Sequence, residues 1–357
     1  MDYVETNGQD NTIKVVQGIY TGNFTYGSSS GHDLFLEGGY DSGCVSRQIN
    51  PANTVLQGAG DGSVLVIIDS NGGSLTVEGF TIKNGGGENI NYGGGLYVRS
   101  GASTCPAGNV TIRNNIITGN SVETTGGGIY TASTTGSNPF PSGNITLINN
   151  IVTGNRAGSH YGGGVYAQVY SSSNSVGAII VTNNTIYGNR AGQYGGGIET
   201  YSYGKEGAGP IRVYNNIVIG NTSGYGADIN LANYSIGGSS YGYNNNYHGF
   251  SGTWTNQGAN IDADPVFVSP GHWNDNGTPV EPADDVWVEG DYHLKPGSPC
   301  IDTGDNAAPE LPGLDFESDG RIADGNRDGA AVVDMGADEY MMQGLAMPWV
   351  PLLLLGD

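Results

Sequence analysis

The residues best suited to chemistry fall into three groups. Arg156 and Arg190 hold the same place in two copies of the phrase GNRAG, with His160 and Tyr161 after the first and Tyr194, Glu199, Tyr201 and Lys205 after the second. If the copies lie side by side, two guanidinium groups repel unless an anion sits between them, and a uronic-acid carboxylate is a natural guest. β-Elimination on an acidic sugar needs a carboxylate neutraliser, a base for the ring proton and an acid for the leaving oxygen. Arg156, His160, Arg190 and Tyr194 supply those parts and are the candidate catalytic residues of a polysaccharide lyase. An ordinary solvated face with two arginines is the alternative.

The second group is aromatic. Tyr97, Tyr130 and Tyr166 follow the first aliphatic residue of successive GGG phrases, with Glu199 in the fourth, and Tyr92, Tyr161 and Tyr194 precede the glycines. If Leu96, Ile129, Val165 and Ile198 point inward, their neighbours point outward, because strand side chains alternate. An exposed aromatic ladder suits sugar rings, which carry CH patches on their faces and hydroxyls at their rims. Tyr97, Tyr130, Tyr161, Tyr166, Glu199 and Tyr201 are therefore the candidate substrate-binding residues, unless the rings serve only rung-to-rung stabilisation. The third group is acidic: Asp324, Asn326, Asp328 and Gly329 match the first half of a calcium loop, D-x-N-x-D-G. The match ends where Met335 takes the place of the closing carboxylate, with Asp334 beside it. Asp324, Asn326, Asp328 and Asp334 are the candidate ligands of a structural Ca2+, or else turn residues that cap backbone amides.

The elements that must position these groups are set by a repeat. IRNNIITGN, LINNIVTGN, VTNNTIYGN and VYNNIVIGN place the first Asn of a pair at 114, 149, 183 and 215, so successive copies lie 35, 34 and 32 residues apart. Such a period signals stacked repeats. Within one period the β-branched residues form three short runs separated by Asn and Gly, with no helical spacing, which describes one triangular coil of a parallel β-helix. Asn and Gly accept positive φ at the corners, and stacking sets Asn on Asn in an amide ladder. LTVEGFTIKN from Leu75 is an earlier coil and YGYNNNYHGF from Tyr241 a last, degraded one, so the solenoid is expected from about residue 10 to 260.

The 63 glycines of the 357 residues are periodic and flanked by β-branched residues, which argues for corners over low complexity. The net charge of −22 is uneven: residues 77 to 221 hold five acids and seven bases, whereas 260 to 345 hold 19 acids and three bases. Without a concentrated basic stripe, nucleic acid is disfavoured as a partner. No stretch is long and apolar enough for a transmembrane span, and no cleavable amino-terminal segment is present, so an export signal is expected to have been removed ahead of Met1. Three cysteines are too few for a disulfide scaffold. A Cys44 to Cys105 bridge is open, and Cys300 reads as a small buried residue.

LFLEGGYDSGCVSR, PANTVLQGAG, VEGFTIKNG, the GNRAGxxYGGG coils, ADPVFVSP, DYHLKPGSPCIDTGDN and DGNRDGAAVVDMGADEY together resemble the β-helix proteins of the pectate-lyase-like fold known as choice-of-anchor Q domain proteins. The resemblance covers residues 10 to 340. It implies a right-handed, single-stranded parallel β-helix in an exported bacterial protein, held at the surface by interchangeable carboxy-terminal anchors, with no single established activity. The expected organisation is a β-helix over 1–260, an Asp-rich segment over 261–345 that caps it, and a short sorting tail over 346–357. The calcium-binding aspartates of pectate lyases and the paired aspartates of polygalacturonases have no counterpart between 77 and 221, where no aspartate occurs. Asp61, Asp69 and Asp228 remain as scattered carboxylates with turn roles by default. The expected function is accordingly binding of a polysaccharide or cell-surface glycan by a monomeric secreted or surface protein. A lyase, or a structural spacer or adhesin, are the alternatives.

Overall fold

In a computed structural model, residues 9–28, 30–87, 89–102, 105–135, 140–171, 177–204, 209–233, 239–278 and 284–342 are described. Lys205 and the expected sorting tail at 346–357 lie outside them. The described residues form an all-β parallel solenoid whose strands run from Asn11 to Gly258, with one short 3-10 turn at Pro51–Asn53. Sheet A has nine strands, among them Leu75–Glu78, Val110–Arg113, Ile145–Ile148, Ile179–Thr182 and Ile211–Tyr214. Sheet B has eight, including Ile116–Thr118, Ile151–Thr153 and Thr185–Tyr187, and sheet C has eight, including Leu96–Ala102, Ile129–Thr135, Val165–Ser171, Ile198–Gly204 and Ile229–Asn233. A short fourth sheet joins Ser121–Val122, Arg156–Ala157 and Arg190–Ala191 between sheets B and C.

Coils pair in strict register, so each inward position becomes a column of like residues. Leu75, Val110, Ile145, Ile179 and Ile211 form one column, and Leu65, Leu96, Ile129, Val165, Ile198 and Ile229 another; all are fully buried. Each aliphatic side chain so buried contributes roughly 1.5–3 kcal/mol. Tyr247, Phe250 and Trp254 of the last coil pack against the end of this core.

The two asparagines of each pair divide the corner between them. The first takes the left-handed conformation, with φ of 53° at Asn114, Asn149 and Asn183 and 56° at Asn215. The second forms the buried ladder: Asn115 Nδ2 donates to Asn150 Oδ1 at 3.2 Å, and the chain continues through Asn184, Asn216, Asn245 and Asn260 at 3.0 Å per step. A second ladder runs from Asn120 through Asn155 and Asn189 to Asn221 at 2.9 Å per step and ends on the Asp228 carboxylate at 3.0 Å.

The acidic segment lies along a flank of the coils, where a cap over the end was expected. Several outward positions of sheet B are apolar, and Ile151 and Ile217 join Phe267, Tyr292, Leu294, Cys300, Ile301, Phe316 and Met335 in a second core. The left-handed asparagines pin this segment down: Asn149 Nδ2 donates to Leu314 O at 2.8 Å, Asn183 to Asp334 O at 2.9 Å, Asn215 to Asp305 O at 3.1 Å and Asn244 to Thr303 O at 2.7 Å. Gly154 and Gly188 have positive φ, and a Cβ on either would overlap the Trp287 indole that lies across them. Cys44, Cys105 and Cys300 are all free thiols, so the bridge left open above is not formed; Cys300 is buried as expected. Replacing Asn184 by Ala removes five buried hydrogen bonds and leaves the Asn150 amide without its acceptor. At about 1–3 kcal/mol for each stranded polar group, the loss should exceed about 3 kcal/mol in denaturant unfolding. A loss below about 1 kcal/mol would show that the ladder is incidental.

Candidate functional site

Sheet C turns its uncovered face outward, and the register stacks the residues that follow each inward aliphatic. Val66, Tyr97, Tyr130, Tyr166, Glu199, Asn230 and Ser251 form one column, and Ile68, Arg99, Ala132, Gln168, Tyr201 and Ala232 form the next. The ring centroids of Tyr97 and Tyr130 are 5.0 Å apart and those of Tyr130 and Tyr166 5.2 Å, with the planes within 16° of parallel. A parallel rung spacing of about 4.8 Å equals a ring-stacking distance, so the rings consume one another's faces. The three tyrosines are half-buried with their faces against one another, where an exposed ladder of faces was expected. Burial pushes the Tyr130 hydroxyl up to about 12 and raises that of Tyr166 as well.

A second stack, Tyr161, Tyr194 and Tyr225, rises beside the first, with centroids 5.8 and 5.1 Å apart. Between the two lies a cleft of about 480 Å³ lined by Tyr161, Tyr166, Tyr194, Tyr201, Asn230 and Ser251, with Glu199 at its floor. Glu199 is 5% exposed, and its Oε2 accepts from Asn230 Nδ2 at 2.7 Å. Burial raises the carboxyl to about 8, and the Asn230 hydrogen bond offsets this only in part. At neutral pH the group is therefore mainly a neutral acid that can donate as well as accept. Farther along the same face, Asp69, Arg99, Tyr130, Thr134, Gln168 and Tyr170 line a hollow of about 620 Å³, where Tyr130 Oη donates to Gln168 Oε1 at 3.3 Å. Both hollows lie on the outward face of sheet C.

The proposed lyase residues do not share this cleft. Arg156 and Arg190 are register neighbours on the short sheet, as their spacing implied. The anion for Arg190 comes from the chain itself: it forms an ion pair with Asp285 and lies 4.3 Å over the Trp273 ring. Arg156 lines a separate hollow with Glu123 and Ser159. His160 Nδ1 sits 2.7 Å from Ser159 Oγ, and its ring meets Tyr161 edge-on at 5.5 Å. Tyr194 alone of the four lines the Glu199 cleft.

The calcium-loop carboxylates act as caps. Asp324 accepts from Asp328 N at 3.2 Å and Gly329 N at 3.1 Å, Asn326 Oδ1 from Asp328 N at 2.8 Å, and Asp328 from Ala330 N at 2.9 Å. Asp334 faces elsewhere and accepts from Asp302 N and Tyr340 N, both at 2.7 Å. Asp69 caps Asn71 and Gly73, and Asp228 ends the second ladder. Residues not singled out above are Asn230, Gln168 and Arg99. Asn230 was marked by its place after Ile229 in YGADINL, the same slot as the tyrosines. No family model, curated protein or solved structure matches this chain.

Glu199 bears on stability through its proton. Its folded value lies above the unfolded one, so burial is tolerated in full below about 4.5, and stability falls as pH rises from there to about 8. Glu199→Gln removes that loss. Relative to the parent, the variant should gain stability between pH 5 and pH 8, on the order of a few kcal/mol, in paired urea melts. A pH-independent difference between the two would place the carboxyl in contact with bulk water.

Proposed function

We propose that this protein binds a polysaccharide lengthwise along the groove of sheet C, with the Glu199 cleft as its most selective position. The observation that carries this reading is a neutral, buried carboxyl paired with Asn230 beneath four tyrosines. Such a floor offers both donors and acceptors, as sugar hydroxyls require, and the phenol edges, Gln168 and Thr134 extend the same chemistry along the rungs. The regular coils carry a small positive balance, so the groove does not share the acidity of the flank.

Binding is favoured over the lyase alternative because a uronate carboxylate in this cleft would face Glu199 and tyrosines instead of a guanidinium. The resemblance to choice-of-anchor Q β-helix proteins supports an exported setting at the bacterial surface, and a monomer acting as a glycan-binding protein or adhesin. Among the described residues no helix is long and apolar enough to cross a membrane.

Electrophoresis through gels containing neutral or acidic polysaccharides tests the reading. Phenylalanine at Tyr130 or Tyr166 keeps the ring stack and deletes only the hydroxyl. Retardation by at least one polysaccharide is expected, weakened about tenfold, or about 1.4 kcal/mol, in Tyr166→Phe and Glu199→Leu. Unaltered migration in every gel, or retardation indifferent to these variants, would overturn the proposal; ultraviolet absorbance from an unsaturated uronate product would favour the lyase.

A further inference from the structure

The acidic flank holds a second cluster away from the groove. His293 lies in the strand Asp291–Leu294, Glu317 in the turn after Phe316, and Asp338 near the end of the described chain. One ligand atom from each lies within 4.8 Å of the other two, and this is the one such group of His, Cys, Asp or Glu among the described residues. His293 Nδ1 is 2.5 Å from Asp291 Oδ1, and Nε2 is 3.1 Å from Glu317 Oε2.

Asp338 is the observation that makes the cluster more than a crowd of acids. It is only 8% exposed, it points at His293 and Glu317, and no described residue gives it a hydrogen bond. Its carboxylate borders the hollow beside Tyr340 and Met341, so an ion entering from solvent can reach it together with the other two ligands.

We propose that His293 Nε2 and the Glu317 and Asp338 carboxylates hold a divalent first-row transition-metal ion, with zinc as the best match. One imidazole with two carboxylates suits zinc-class ions, whereas calcium and magnesium prefer all-oxygen sets. Asp291 supplies the outer carboxylate that metal-binding histidines commonly use, fixing the ring so that Nε2 faces the ion. A hollow lined by Pro296, Tyr340 and Met341 opens beside the three ligands and leaves room for water to complete the coordination. The ion ties together three stretches of the flank and so stabilises the segment that the left-handed asparagines pin to the coils.

The test is isothermal titration and thermal melting of the full chain, freed of metal by chelator, with zinc, manganese and calcium chlorides in parallel. A single saturable equivalent of zinc and a raised melting temperature are expected, with no shift from calcium at the same concentration. His293→Ala and Asp338→Asn should each weaken zinc binding at least about a hundredfold, and Asp291→Asn about ten- to a hundredfold. Asp324→Ala should leave it unchanged. Metal-free melting curves and circular dichroism of the variants separate loss of a ligand from loss of fold, and the half-exposed His293 is the safer of the two ligand substitutions. Absence of a saturable zinc equivalent, binding indifferent to both ligand variants, or calcium stabilising as well as zinc would overturn the proposal.

Discussion

Everything in this molecule depends on side-chain amides stacking in register from coil to coil. Each ladder Asn accepts on Oδ1 from the coil before it and donates Nδ2 to a carbonyl there and to the Oδ1 of the next, so its buried amide has both its oxygen and its nitrogen paired. A slip of one residue would break all of these bonds and also send the aliphatic columns outward. The ladder therefore does more than stabilise. It converts a sequence period into fixed columns, and fixed columns are what allow a tyrosine in one coil to become the neighbour of a tyrosine, or a Glu, in the next.

The flank shows how such a frame accepts further structure. Sheet B carries Ile116, Ile151, Ile217 and Ile219 on its outward side as well as an apolar inner face, the mark of strands covered on both sides. The acidic segment provides the second cover, and a fully buried Arg321 anchors it through Asn149, Gly336 and Ala337. Among the described residues sheet C has no such cover. Sheet B is thus held between two cores, whereas the outward face of sheet C is left open by the described residues.

The coil, its corners and its length were legible because each comes from local rules: positive φ at Asn and Gly, alternation within strands, and a fixed period. The split of labour between the paired asparagines was less so, since both look alike until the coils are stacked. Alternation placed the tyrosines on the right face, but their exposure could not be read, because the rung spacing matches the stacking distance of rings and this shows only once neighbouring coils are in place. The Arg156 and Arg190 juxtaposition followed from the period, whereas the capture of Arg190 by Asp285 depends on where a distant, aperiodic segment lands. IIT in Ile116–Thr118, apolar at consecutive positions, was the sign that sheet B would be covered. His293, Glu317 and Asp338 come from separate turns with no common motif, so only the fold brings them together.

The frame, the open face of sheet C and the burial of one carboxyl meet at Glu199, where the run of tyrosines in the column ends. A carbon-detected NMR titration of its side-chain carboxyl measures their combined effect directly. The rungs that bury Glu199 beside Tyr166 and Asn230 predict a midpoint raised well above the ordinary carboxylate range, to about 8. A midpoint in the ordinary carboxylate range, near 4.5, would mean that the groove floor is open to water and that Glu199 is a charged surface residue.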